Sequence, residues 1–400
     1  MGHDAFAWRA GVSLVGALLA CSAASCGAAE SAAGIEHRDF EVKVISRGDN
    51  RPPINLAQTH GDRVLVLAKE GASESEIRGH RFADGTDAGT TLDTLLDHGF
   101  ISREGSAGLS PTVAVMTLTA VSRDMPVDES VIAQTVEAIH AYAPAAFEAL
   151  AGLEGFSHLT RGQYDLFLLS NGLLDNFQIA NVEAQVIASE RPARAGGHYY
   201  LSVQEKAAGA VGEAFGIYGN HTGRYGPYIL GVYGNQRNQR TDFHRMPKAL
   251  IGAGETADDS ALQIRRRQLV DTLGALWFEQ EEVVGEARQT LERLGFVSAT
   301  GALMIPVITT ANYGRFSAVV ADFTPTLIAI LNGHLPSLKA RYADSSYAGE
   351  ITFEEFFMWW FHLYYSAVTD ALVADGTIHI PPQGVATYLM IPGDAGGSTR

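Results

Sequence analysis

Apolar residues along this chain recur mostly at helical spacing, and short β patterns divide the helical stretches from one another. The body opens on a strand-like alternation at residues 40–46, FEVKVIS, followed by turn-rich residues 47–53. Helical spacing then predicts three short helices over 62–69, 73–77 and 90–96, with Gly71 and Gly99 placed to end two of them. Arg103-Glu104-Gly105 marks a turn between short β pieces, the second finishing over 112–119. Past Pro126, Asp128 is placed to cap a helix over 131–142, and Pro144 to start another reaching Leu153. Thr160 and Gln163 have capping-box spacing, and Tyr164, Phe167, Leu168, Leu174 and Phe177 keep near-helical spacing toward Val186. Residues 260–290 are helical again, and Thr352 with Glu355 sets a second capping box before the apolar run FFMWWFHLYY at 356–365. A membrane span needs about 20 apolar residues, so this shorter run predicts a buried core helix.

The order of patterns repeats. LERLGFVS at 291–298 matches LLDHGFIS at 95–102, Pro306 follows as Pro111 does, and Phe356, Trp359 and Trp360 stand where Tyr164, Phe167 and Leu168 stood. The expected fold is therefore mainly α with small β elements (α+β), in two similar halves over 38–212 and 246–390. Three short helices followed by a β wing resemble a winged helix, with amphipathic helices after each such unit. Between the halves lies a Gly/Tyr/Asn-rich segment, 213–245. In it, Gly216-Ile217-Tyr218-Gly219-Asn220 recurs as Gly231-Val232-Tyr233-Gly234-Asn235, which predicts two short strands joined through 221–228. This segment is expected to be an insert, present once where the rest is present twice. Residues 391–400 read as a disordered tail.

The first residues carry a different kind of signal. An apolar run at 11–20 follows Arg9 and ends in Leu18-Leu19-Ala20-Cys21, which resembles a bacterial lipoprotein signal. That resemblance implies removal of residues 1–20, lipidation of Cys21, a tether over 21–37 and a place in the bacterial cell envelope. Secretion after ordinary cleavage near Ala29 is the alternative. Cys21 and Cys26 are the two cysteines of the chain. The body therefore has no thiol for disulfides, zinc or nucleophilic chemistry. A net charge of −16 disfavours nucleic acid, whose affinity rests on basic contacts.

Candidate chemistry is sparse. Gly252, Gly254 and Ala257 have dinucleotide-loop spacing, but the preceding apolar run is short and Asp258 and Asp259 would face the phosphates. A plain loop is expected there. Glu137 and His140 have helical di-metal spacing without a matching second pair. Glu355 and His362 are nearly on one helix face and would suit a metal or general base if His198, His221 or Glu213 came across from other elements. The central segment supplies Tyr218, Asn220, His221, Arg224, Tyr233 and Asn235, the aromatic, amide and charged groups that peptide and sugar surfaces use. The expected role is non-catalytic binding or assembly with an envelope protein, peptide or glycan, without a cofactor and touching the membrane through its lipid alone. A metal-assisted hydrolase using histidines and carboxylates of both halves is the alternative. Changing Cys21→Ser is expected to abolish incorporation of labelled fatty acid and move the protein from the membrane to the soluble fraction; unchanged labelling would show that Cys21 is not the lipid site.

Overall fold

Two small sheets built on the same strand plan frame a layer of helices in the computed structural model. It describes residues 34–48, 50–105, 108–210, 212–235, 243–244, 258–279 and 285–392. The expected signal segment with Cys21, the loop at 249–257 and the tail beyond 392 lie outside these residues.

In chain order, β1 (Asp39–Ser46) leads into α1 (Gly61–Lys69), α2 (Glu74–Gly79), α3 (Ala88–Asp97) and the hairpin β2 (Ile101–Glu104) and β3 (Gly108–Pro111). Local signals set these bounds. Ser73 forms a full capping box with Glu76, Asp87 accepts from Thr90 N–H, and Gly99 takes φ +68° just past α3. The helices bury Val64, Leu67, Ile77, Leu92 and Leu95 against Val115, Leu201 and Val203 of the first sheet. Next come β4 (Ala114–Met116), α4 (Leu118–Asp124), α5 (Glu129–Ala151), a π-helix at Leu166–Gly172, α6 (Ile179–Val182), a second π-helix at Glu183–Ile187, β5 (Ala193–Arg194) and β6 (Gly197–Lys206). The remainder is β7 (Gly219–Tyr225), β8 (Tyr228–Gly234), α7 (Asp259–Glu279), α8 (Gly285–Arg293), β9 (Val307–Thr309), α9 (Thr310–Asp344), α10 (Phe353–Ala374) and β10 (Val385–Ile391).

In the first sheet, β6 is central, antiparallel to β1 (Val42 opposite Val203) and parallel to β4 (Val115 opposite Val203). In the second, β10 is central, antiparallel to β8 (Tyr388 opposite Gly231) and parallel to β9 (Met390 opposite Ile308), with β7 outside β8. The helical layers cross over. On the first sheet sits α10, whose Glu355 takes Arg194 Nη2 at 2.6 Å and Leu201 N–H at 3.3 Å. The π-helix at Leu166–Gly172 sits on the second, where Ser170 Oγ is 2.5 Å from Tyr233 Oη and Phe167 packs on Tyr388. Thr369 of α10 reaches the same Ser170 at 2.5 Å, so one buried hydroxyl cluster ties both layers together.

Several expectations need correction. Residues 129–151 form one helix through Pro144 rather than two pieces, because burial of Ala143, Ala146, Phe147 and Leu150 outweighs the bond that proline forfeits. Strand character over 112–119 shrinks to Ala114–Met116, since Thr117 caps α4 by accepting from Ala120 N–H. The capping box of Thr160 and Gln163 is present but opens a 3-10 turn and then the π-helix, not one long helix. Ile35, within the expected tether, is buried in the first core, and Ile391, within the expected tail, belongs to β10. Helix α9, 35 residues containing Pro325 and Pro336, was not anticipated. It is the one described helix long and apolar enough to cross a membrane, and it turns Phe316, Val320, Phe323, Leu327 and Leu331 into the core. Finally, the central strands are longer and their turn tighter than expected, with Gly226 (φ +58°) and Pro227 alone between Tyr225 and Tyr228. That hairpin also joins the second sheet, with β8 the antiparallel partner of β10.

A backbone contact fixes the seam between the halves. Gly155 takes φ +95°, its carbonyl accepts Val307 N–H at 3.0 Å, and Asn312 donates to Glu154 O. A Cβ at position 155 would lie 1.9 Å from Val307 O. Gly155→Ala is therefore expected to lower stability by about 3 kcal/mol or more in urea unfolding; an unchanged midpoint would show that the two backbones are not held together.

Candidate functional site

A cavity of about 630 Å³ opens along the seam where the two helical layers cross. One side is the free edge of β1, residues 42–47, and the opposite side is Ile217–His221 leading into β7. Residues 175–180, lying between the π-helices, and Trp359, His362 and Tyr365 of α10 form the remaining walls, with Gln204 of β6 behind. A π turn closes i→i−5 bonds, here Leu173 N–H to Leu168 O and Asp175 N–H to Ser170 O. The extra residue per turn breaks the regular helix and turns the 175–180 stretch toward the cavity. Tyr313 of α9, 45% exposed, stands at the mouth.

Two titratable groups in this lining are pushed in opposite directions. Burial raises the Asp175 carboxyl to about 8, a bond to the Tyr365 hydroxyl opposing it. Tyr365 Oη donates to Tyr218 O at 2.7 Å, which ties this wall of α10 to the stretch before β7. Burial lowers His362 to about 4, and the positive charges of Lys43 and Arg191 add to this. Its Nδ1 lies 2.7 Å from Met358 O, which places the proton there and leaves Nε2 as an acceptor. A neutral acid and a neutral base therefore share one cavity at pH 7.

Other polar groups in the wall are only partly satisfied. Gln204 donates Nε2–H to Ser202 Oγ at 2.9 Å, while its fully buried Oε1 meets no partner among the described residues. Arg191 binds Glu183 through Nε (2.6 Å) and Nη2 (3.2 Å), and its buried Nη1 has no partner among them. Each such group costs about 1–3 kcal/mol in an empty site. Lys43 pairs with Glu41 at 2.9 Å and approaches Glu213 at 4.0 Å.

Of the six residues expected from the central segment, Tyr218, Asn220 and His221 line the cavity. Tyr218 is stapled to α10 through Ser366 Oγ and Asp370, and Asn220 Oδ1 accepts from Tyr388 Oη at 3.0 Å. The other three sit elsewhere. Arg224 is exposed further along β7, Tyr233 is wholly buried behind the wall on Ser170, and Asn235 Nδ2 donates to Gly216 O, folding the loop before β7. Glu355 does not join His362, because it is held by Arg194 against the first sheet. Glu213 does reach the cavity; His198 is exposed near Arg191 O, outside it. His140 lies on the surface beside Thr377 and Asp375. Among the described residues, no three His, Asp or Glu side chains are placed to hold a metal ion. Sequence reasoning missed Asp175, Arg191 and Gln204; an acid inside the apolar run LLSNGLLDNF was the one available signal. No family model, curated protein or solved structure matches this chain.

An acid whose pKa rises on folding stabilises the protein only while protonated. For Asp175 the penalty is absent near pH 4 and grows as pH climbs toward 8. Asp175→Asn is therefore expected to match wild type near pH 4 and exceed its Tm by a few degrees near pH 8. Parallel Tm curves across that window would show that the carboxyl does not titrate in the folded protein.

Proposed function

We propose that this is an exported protein of the bacterial envelope, lipid-anchored at Cys21, that binds a ligand in the cavity between its two halves without transforming it. One observation carries the proposal: buried side chains with open hydrogen-bonding positions, Gln204 Oε1 and Arg191 Nη1, line a cavity of about 630 Å³. That volume is in the range of small-molecule and peptide sites, roughly 300–1,000 Å³. Native cores rarely leave such groups orphaned, and a bound molecule would satisfy them. Tyr218, Asn220 and His221 of the central segment contribute one wall, in keeping with the aromatic and amide character that suggested binding.

We further read each half as a winged-helix-like unit followed by helices, and the two halves as copies of one ancestral unit. Support comes from the shared strand plan, in which β1, β4 and β6 correspond to β8, β9 and β10. The bridge between Val297 and Leu303 stands where the β2–β3 hairpin stands, and Thr352 before α10 stands where Thr160 stands. Metal-assisted hydrolysis has less behind it, since Glu355 is committed to Arg194.

Ala180 is exposed at the cavity rim, so Ala180→Trp can obstruct the mouth without disturbing the core. Native mass spectrometry of protein purified from its own envelope is expected to show a small-molecule adduct that the Trp variant loses at unchanged Tm. An adduct kept at full occupancy by the variant would place the binding elsewhere.

A further inference from the structure

The chemistry of the cavity narrows what it holds; this step rests on the cavity being a binding site. Buried atoms of three side chains in its wall await partners among the described residues: the acceptor Gln204 Oε1 and the donors Arg191 Nη1 and Trp359 Nε1; His362, with its proton on Nδ1 toward Met358 O, adds Nε2 as a further acceptor. A fitting ligand both donates and accepts within a short span. Its charge is constrained as well. Each cation of the lining already faces a carboxylate: Lys43 meets Glu41 at 2.9 Å, and Arg47 and Arg191 meet Glu183 at 3.1 and 2.6 Å. An anionic ligand would have to compete with those pairs, while a cationic one would sit beside the positive charges of Lys43 and Arg191. Burial and these same cations hold His362 neutral.

An uncharged molecule rich in hydroxyls meets all of this, because a hydroxyl serves as donor and acceptor at once. Phe177, Tyr218, Trp359 and Tyr365 add apolar ring surface, with Tyr313 at the entrance, against which the hydrophobic face of a sugar ring can lie. An extended peptide added to the β1 edge would use backbone groups and leave Gln204 and His362 unpartnered, and the inward-facing Lys43–Glu41 pair blunts that edge. We propose that the cavity binds a short uncharged glycan, its hydroxyls donating to Gln204 Oε1 and His362 Nε2 and accepting from Arg191 Nη1.

The test is titration calorimetry and thermal shift on the full mature chain. The probes are maltose, cellobiose and N,N′-diacetylchitobiose, with glucuronic acid, glucosamine and a neutral tripeptide as contrasts. At least one neutral disaccharide is expected to bind and raise the Tm, with the acid, the amine and the tripeptide at least tenfold weaker. Gln204→Met keeps the shape and removes the acceptor, so it should weaken that sugar tenfold or more without lowering the ligand-free Tm; Arg191→Met gives a second test from the donor side. Tighter binding of the charged sugars or the tripeptide overturns the proposal, as does a fall of several degrees in the ligand-free Tm of Gln204→Met, which would make that side chain part of the fold. No response to any neutral sugar, with an adduct that Ala180→Trp removes, overturns the glycan and keeps the binding cavity; no response and no adduct overturns both.

Discussion

A helix that is apolar on every side is stable only where every side is covered, and α10 is such a helix. Phe356, Phe357, Met358, Trp359, Trp360, Phe361, Tyr364 and Tyr365 are all buried, so the residues of full turns, not one stripe, point into protein. Elements of both halves are needed to enclose it. The first sheet meets it through Arg194 and Leu201, α5 through Thr135 at 2.6 Å from Tyr364 Oη, the stretch before β7 through Tyr218, and the π-helix through Ser170. Trp360 Nε1 finds Pro126 O at 3.2 Å, so distant chain also satisfies that ring's polar tip. One continuous core runs across the seam as a result.

The cavity follows from the same enclosure. Around the N-terminal part of α10 the wrapping is close, with Glu355 tied to the first sheet and Tyr347 Oη donating to Val115 O. Further along, the chain facing α10 on the first-half side is not a regular helix but two π segments with a looped stretch between them, and regular packing of side chains into grooves fails there. Space is left at the place where Trp359, His362 and Tyr365 turn toward β1. Removing His362 and Asp175 from water makes both neutral, and the hydrogen bond to Met358 O sets which ring nitrogen of His362 carries the proton. The polarity of the cavity is thus imposed by packing rather than by local sequence.

Much that was legible in the sequence was local. Thr352 caps α10 through its hydroxyl and Gly99 ends α3, as their positions suggested, because such bonds involve residues three or four apart; Ser73 and Asp87 cap α2 and α3 in the same way without having been singled out. Thr309 was not singled out in the sequence, and α9 behind it went unseen, since Pro325 and Pro336 disguise a helix whose buried stripe outweighs them. Half of the six candidates named from composition, Tyr218, Asn220 and His221, lie in the wall; Arg224, Tyr233 and Asn235 share that composition, yet strand alternation and a loop turn them elsewhere.

By itself, then, the sequence determined the α+β class, the glycine stops after α1 and α3, the capping of α10 by Thr352 and the burial of that aromatic helix, all consequences of short-range bonding and of apolar periodicity. Tertiary structure alone decided that α10 lies on the first sheet and the π-helix at Leu166–Gly172 on the second, that the central hairpin joins the second sheet, that Glu355 serves Arg194 while His362 faces a cavity, and that Asp175 and Gln204 meet His362 there. Those outcomes depend on contacts between residues 100 or more positions apart, and no local pattern carries the geometry that brings them together.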